Sequence, residues 1–286
     1  MKKIFLSAMV IMLCITANAF CLDTDGLMQV LRDAKQGISE VFVSVDRGLS
    51  AAARELSSVD LKSDAARKIL NNLCQNRPYV IDCAIIDTAG RMIAVEPAEF
   101  GEFEGKDISA QMQVQLMLLN KKPLLSSVFT SVEGRKAIDF GYPIFSDKKE
   151  FLGSVSMLVD QVELAEDIIL PLTWRKHCKI WIMQKDGVLV YDPDLNQIGR
   201  NVFKDNFFSG FNVLVSFCRT LADSKEGMGS YDFYAAGMED KTVVSKYAAW
   251  DTVSLYGNEW RIVVMEADKP KPVPEKAPGV EGIDLE

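Results

Sequence analysis

The chain has 286 residues, 48% hydrophobic and 25% charged, the proportions of ordinary globular material. A formal net charge of −8 repels a phosphate backbone, which argues against nucleic acid as a partner. One histidine, His177, excludes multi-histidine metal centres and weakens any scheme in which a histidine activates a nucleophile.

Residues 1–19 read as a signal peptide. Lys2 and Lys3 form a positive start, residues 4–15 an apolar stretch broken only by Ser7, and Ala17-Asn18-Ala19 a small-x-small cleavage site. The stretch falls short of the ~20 residues a spanning helix needs. Cleavage after Ala19 is expected, leaving Phe20 first in a periplasmic or secreted protein. Lipid anchoring at Cys21 is the alternative, although bulky Phe20 stands where lipoprotein signals resemble one another in carrying a small residue.

Residues 20–75 form a helical region. Leu27, Leu31, Ala34, Ile38, Val41, Val45, Leu49, Ala52, Leu56 and Val59 recur at three- and four-residue spacing, one apolar stripe on a long helix. Ser57-Ser58-Val59-Asp60 ends it, and Asp64 caps a shorter helix with Ile69, Leu70 and Leu73. The stripe has two uses: packing on the chain's own sheets, or a coiled-coil homodimer.

From Pro78 the texture changes to short strands. Strands are expected at 79–87 and 91–95 around Thr88-Ala89-Gly90, then a helix near 111–117, strands at 125–131, 136–145 and 151–159, and a helix at 161–170 stopped by Pro171. The order then repeats: strands at 178–184 and 188–191, a helix at 208–221, strands at 229–235, 242–250 and 259–265. Asp87-x-x-Gly90 aligns with Lys185-Asp186-Gly187, and Gly105-Lys106-Asp107-Ile108 with Ile198-Gly199-Arg200-Asn201. This is a two-copy repeat of an α+β unit, with modules at 76–175 and 176–268. Residues 269–286, rich in Pro, Lys and Glu, read as a disordered tail.

Disulfides are permitted outside the cytoplasm. Cys74–Cys83 and Cys178–Cys218 are the simplest pairings, with buried free thiols as the alternative.

Three stretches carry a family resemblance. They are 84–90 with 105–109; 122–126 with 137–144 and 151–155; and 186–194 with 198–201, ending at Trp260. In order and spacing they resemble double Cache (dCache) extracellular sensor domains: an α+β fold in which a long N-terminal helix precedes two tandem PAS-like modules with antiparallel sheets. The resemblance implies a membrane-distal module that binds a small molecule and a membrane-proximal module that relays the signal. Typical members continue into a second membrane helix and a cytoplasmic output module. Neither is recognisable here, so the expectation is a stand-alone exported sensor acting through a membrane receptor or transporter, with no cofactor.

The strand at 136–145 alternates, placing Arg135, Ala137, Asp139 and Gly141 on one face and Ile138, Phe140 and Tyr142 on the other. Asp139, mid-strand among apolar residues, is costly to bury unpaired. It is expected to meet a ligand amine, or else an internal partner such as Arg135 or Arg91. The resemblance adds Tyr142 and Asp160, the latter also a natural cap for the following helix. Met92, Met112, Phe129 and Phe140 suggest an apolar lining. The candidate ligand-binding set is therefore Met92, Phe129, Arg135, Asp139, Tyr142 and Asp160. The Arg-x-Trp-Tyr cluster that grips a ligand carboxylate in amino-acid-binding relatives is missing from the distal module. Asp192-x-Asp194-x-Asn196 opens like a calcium loop, but Gln197 and Phe203 stand where glycine and glutamate belong, so it reads as a turn. Nothing forms a catalytic constellation, and the chain reads as a binding protein rather than an enzyme. An interaction protein whose pockets are filled by side chains is the alternative.

Overall fold

The computed structural model describes residues 24–174, 176–237 and 240–267. The signal segment, Cys21 and the tail from residue 269 lie outside them.

The proline-free, Leu- and Ala-rich start forms one helix, α1 (Thr24–Leu56). Its buried stripe runs through Leu27, Leu31, Ala34, Ile38, Phe42, Val45, Leu49, Ala52 and Leu56. Phe42 thus replaces Val41 on the inner face. The helix α2 (Asp64–Cys74) is capped by Ser63, whose Oγ accepts from the Ala66 N–H at 3.3 Å. The cap therefore lies one residue before the expected Asp64.

The first sheet contains β1 (Val80–Asp87), β2 (Met92–Glu96), β3 (Leu124–Leu125), β4 (Phe129–Thr130), β5 (Lys136–Phe145) and β6 (Phe151–Val159). It is antiparallel in the order β2-β1-β6-β5-β3, with β4 also on β5, and α3 (Met112–Asn120) lies between β2 and β3 in the chain. The linking helix α4 (Gln161–Thr173) carries Pro171 in its last turn, where only one N–H is forgone. It therefore runs past its expected stop.

The second sheet contains β7 (Cys178–Gln184), β8 (Leu189–Tyr191), β9 (Gly227–Ala236), β10 (Asp240–Leu255) and β11 (Asn258–Ala267), with α5 (Asn212–Asp223) before β9. Its order, β8-β7-β11-β10-β9, repeats that of the first.

Backbone hydrogen bonds show how close the repeat is. In the first sheet Ile108 N–H donates to Gly90 O, Met92 N–H to Lys106 O and Gly105 N–H to Met92 O. In the second, Val202 N–H donates to Gly187 O, Leu189 N–H to Arg200 O and Gly199 N–H to Leu189 O. Lone antiparallel bridges, Arg91 with Asp107 and Val188 with Asn201, complete the match.

The expected strand at 125–131 is broken. From the end of β3 the chain turns to meet the second sheet: Asn258 Nδ2 donates to Leu125 O at 3.0 Å and to Ser126 O at 3.3 Å, and Ser127 Oγ bonds Gln184 Oε1.

α1 is the spine of both sheets. Phe42 packs edge-on against Phe140 of β5 at 6.0 Å and against Trp260 of β11 at 4.9 Å between ring centroids. The stripe is thus occupied by the chain's own sheets, which argues against its use as a dimer seam.

Cys74, Cys83, Cys178 and Cys218 are free thiols. The Cys178–Cys218 pairing is overturned by the sheet between them: Cys178 packs with Ile180 and Ile182 on the α1 side, Cys218 with Trp181 and Met183 on the α5 side. The Cys83 thiol does lie against Cys74.

Candidate ligand-binding site

Each sheet turns one face to α1 and the other away from it. On the first sheet Ile85, Ile138, Phe140 and Val155 face α1. The opposite face presents Asp82, Asp139 and Ser156 to a cavity of about 30 Å³, room for roughly one water molecule.

Strand register explains the arrangement. Asp82 on β1 and Asp139 on β5 both pair with Leu158 of β6. The two carboxyls therefore stand at one level on one face, about two strand spacings (roughly 9.5 Å) apart. Ser156, two residues before Leu158, projects from the same face, and its Oγ donates to Asp139 Oδ1. Ser126 Oγ accepts from the Asp139 N–H at 2.8 Å.

Above them folds the turn between β4 and β5, held by Ser131 N–H donating to Arg135 O at 2.9 Å. It brings Glu133 to the cavity. Both Glu133 oxygens, Asp82 Oδ2 and Ser131 Oγ are shielded from solvent without a hydrogen-bond partner among the described residues. None of the residues lining the cavity is basic.

Three acids without a base carry a recognisable electrostatic signature. Loss of hydration, opposed by the Ser156 hydroxyl and reinforced by Glu133, pushes the Asp139 carboxyl up to about 7. Desolvation first, then Glu133 and Asp139, hold Asp82 well above the ordinary carboxylate range. No lining side chain therefore offsets the charge of these acids. Among the described residues no cluster of His, Cys, Asp or Glu has the geometry to hold a metal ion.

Of the residues expected from sequence, Met92, Phe129 and Asp139 come together at this cavity. The others do not. Tyr142 faces the α1 side, its ring 6.5 Å from that of Tyr256, because strand alternation puts it opposite Asp139. Asp160 caps α4, accepting from the N–H groups of Val162 at 3.0 Å and Glu163 at 3.3 Å. Arg135 is exposed just before β5, and Arg91 is bridged to Asp107 at 3.5 Å, so neither pairs with Asp139. Phe140 belongs to the α1 face and Met112 is 67% exposed. Sequence reasoning missed Asp82, Glu133 and Ser156. Asp82 gave the same signal as Asp139, a lone acid within an apolar strand.

Residues 40–161 match the family described as HK/GC/chemotaxis protein-like sensor domain. This stretch runs from the middle of α1 through the whole first sheet. Among solved structures, an extracellular ligand-binding receptor from Desulfohalobium retbaense is 28% identical over 84% of this chain, with a TM-score of 0.71. Residues 40–161 thus resemble a Cache-type sensor domain. The chain spans only 40% of the length of that receptor. The periplasmic sensory domain of the Campylobacter jejuni chemoreceptor Tlp1 shares the fold at 16% identity, with a TM-score of 0.64 over 88% of this chain and 98% of that one. The ligand-binding domain of the Pseudomonas aeruginosa amino-acid chemoreceptor PctC, in complex with GABA, does so at 12% identity and a TM-score of 0.56, over 84% and 98%. No curated protein matches this sequence. The family matched over residues 40–161 is one of sensors, not of enzymes, and no helix among the described residues is long and apolar enough to cross a membrane.

Proposed function

We propose that this sensor domain detects a small molecule bearing a primary amine, whose ammonium enters between Asp82, Glu133 and Asp139. The observation that carries the reading is the set of buried, unpartnered carboxylate oxygens on Asp82 and Glu133 beside Asp139, with no basic residue among them. An ammonium supplies both the missing charge and three hydrogen-bond donors. The cavity takes only the head group, so the rest of the ligand requires the β4–β5 turn to swing outward. The PctC and PctB domains, which share the fold, are complexed with GABA, L-Arg and L-Gln, all amine-bearing molecules. In this reading residues 76–175 sense and residues 176–268 relay to a membrane receptor or transporter, outside the cytoplasm.

The test is thermal unfolding of the protein at pH 8 against primary amines and their N-acetylated counterparts. Amines raise the melting temperature and the acetylated forms leave it unchanged. Equal shifts by both, or no shift by any amine, would overturn the assignment.

A further inference from the structure

The second sheet has its own cavity, on the face turned away from α1, and it is far larger. It measures about 370 Å³, within the range of small-molecule sites. Trp181 of β7 and Tyr231 and Phe233 of β9 form an apolar wall, with the Trp181 indole N–H already spent on the Tyr231 hydroxyl at 3.0 Å.

Into this space projects Lys246, opposite Tyr231 in the β9–β10 ladder and only 4% exposed. No carboxylate among the described residues lies within 4.0 Å of its ammonium. Its near contact is the Phe233 ring, 5.4 Å from nitrogen to centroid. Lys179 adds a second positive charge at the mouth.

The two acids of the rim are engaged locally. Asp192 Oδ1 accepts from the Asp194 N–H at 2.8 Å, and Asp194 Oδ1 from the Asn196 N–H and Nδ2 at 3.1 and 2.9 Å. They shape the turn after β8, and neither neutralises Lys246 directly. Desolvation accordingly draws the Lys246 ammonium down to about 8, against the more distant pull of Asp192. Within the cavity Lys246 thus stands beside aromatic rings, with the two carboxylates held in the turn at its rim.

We infer that this cavity is a second, separate binding site for a small aryl carboxylate, its carboxylate on Lys246 and its ring against Trp181 and Phe233. A lysine only 4% exposed, with no carboxylate within ion-pair distance and its head group in the cavity, favours an anion. The aromatic wall selects a flat apolar body over a phosphate or sulfate. The site depends on none of the residues assigned to amine recognition.

Calorimetric titration with phenylacetate, phenylacetamide and phenethylamine tests this. Phenylacetate binds at least about ten-fold more tightly than either of the others, K246M removes that preference, and D139N leaves it intact. Thermal unfolding checks that K246M folds; should it not, a crystal structure of the wild-type protein with phenylacetate decides, the carboxylate lying on Lys246. Absence of phenylacetate binding, equal binding of the amide or the amine, loss of binding in D139N, or a ligand seated elsewhere would each overturn the proposal.

Discussion

Asp139 is a carboxyl placed where water does not reach it, and its protonation ties stability to ligand binding. In the folded chain it titrates near 7, against an ordinary 3.8. Below that ordinary value it is protonated in both folded and unfolded chains. Between the two values only the unfolded chain ionises it. Stability is therefore fully present at low pH and is lost as pH rises through about 7. Asp82, shifted in the same direction, adds to the effect. Urea denaturation of the ligand-free protein at pH 5 and pH 8 should show the lower midpoint at pH 8, with the difference reduced in D139N. An unchanged difference in D139N would remove Asp139 as its source. Alternation along β5 made the side of Asp139 legible in the sequence, and the same alternation puts Tyr142 on the opposite face. Asp160 fitted two roles equally well, because a carboxylate before a helix caps it whether or not a ligand is near. Glu133 was not legible, since only the folded turn reveals that its side chain is buried.

At the scale of elements, the repeated turn is where sequence and structure agree most closely. Gly90 and Gly187 have φ of +82° and +93°, and a Cβ would lie 2.7 Å from Ser109 Cβ in one and 2.5 Å from the Phe203 ring in the other. Both are closed over by the segment that returns to bridge the hairpin. Gly105 has φ of +82° but open space around it. Alanine at Gly105 pays only the left-handed backbone cost, about 1 kcal/mol, whereas G90A and G187A add a steric clash and should lose roughly 2–4 kcal/mol. Denaturant titration of the three variants measures this, and equal losses at Gly90 and Gly105 would contradict the close approach. The glycines and the order of strands could be read from the chain because they answer to local backbone rules. The break between β3 and β4 could not, because those residues are drawn away by Gln184 and Asn258 from the other sheet. Pro171 failed as a stop for a related reason: a final turn forgoes one hydrogen bond without unwinding.

Across the whole molecule, one helix carries two sheets of the same order, each with a cavity on the face away from it. The cavities differ in chemistry: acids without a base in the first, and in the second a buried lysine beside aromatic rings with two acids at the rim. Ser126 spans the two halves: its hydroxyl accepts from the Asp139 N–H, and its carbonyl accepts from Gln184 Nε2 at 3.3 Å and from Asn258 Nδ2. A displacement of Asp139 on binding thus has a direct route to β7 and β11. The stripe on α1 was visible in the sequence as a period, but not what it would cover, since a coiled coil and a sheet-packing helix share that period. The central claim is that the first cavity holds an ammonium against ionised acids. Calorimetric titration at pH 6, in two buffers of different ionisation enthalpy, tests it with the amine that most raises the melting temperature. Binding should release protons as Asp139 ionises, so the heat depends on the buffer, and D139N should bind at least about ten-fold more weakly with less release. Buffer-independent heat together with unchanged affinity in D139N would contradict the account.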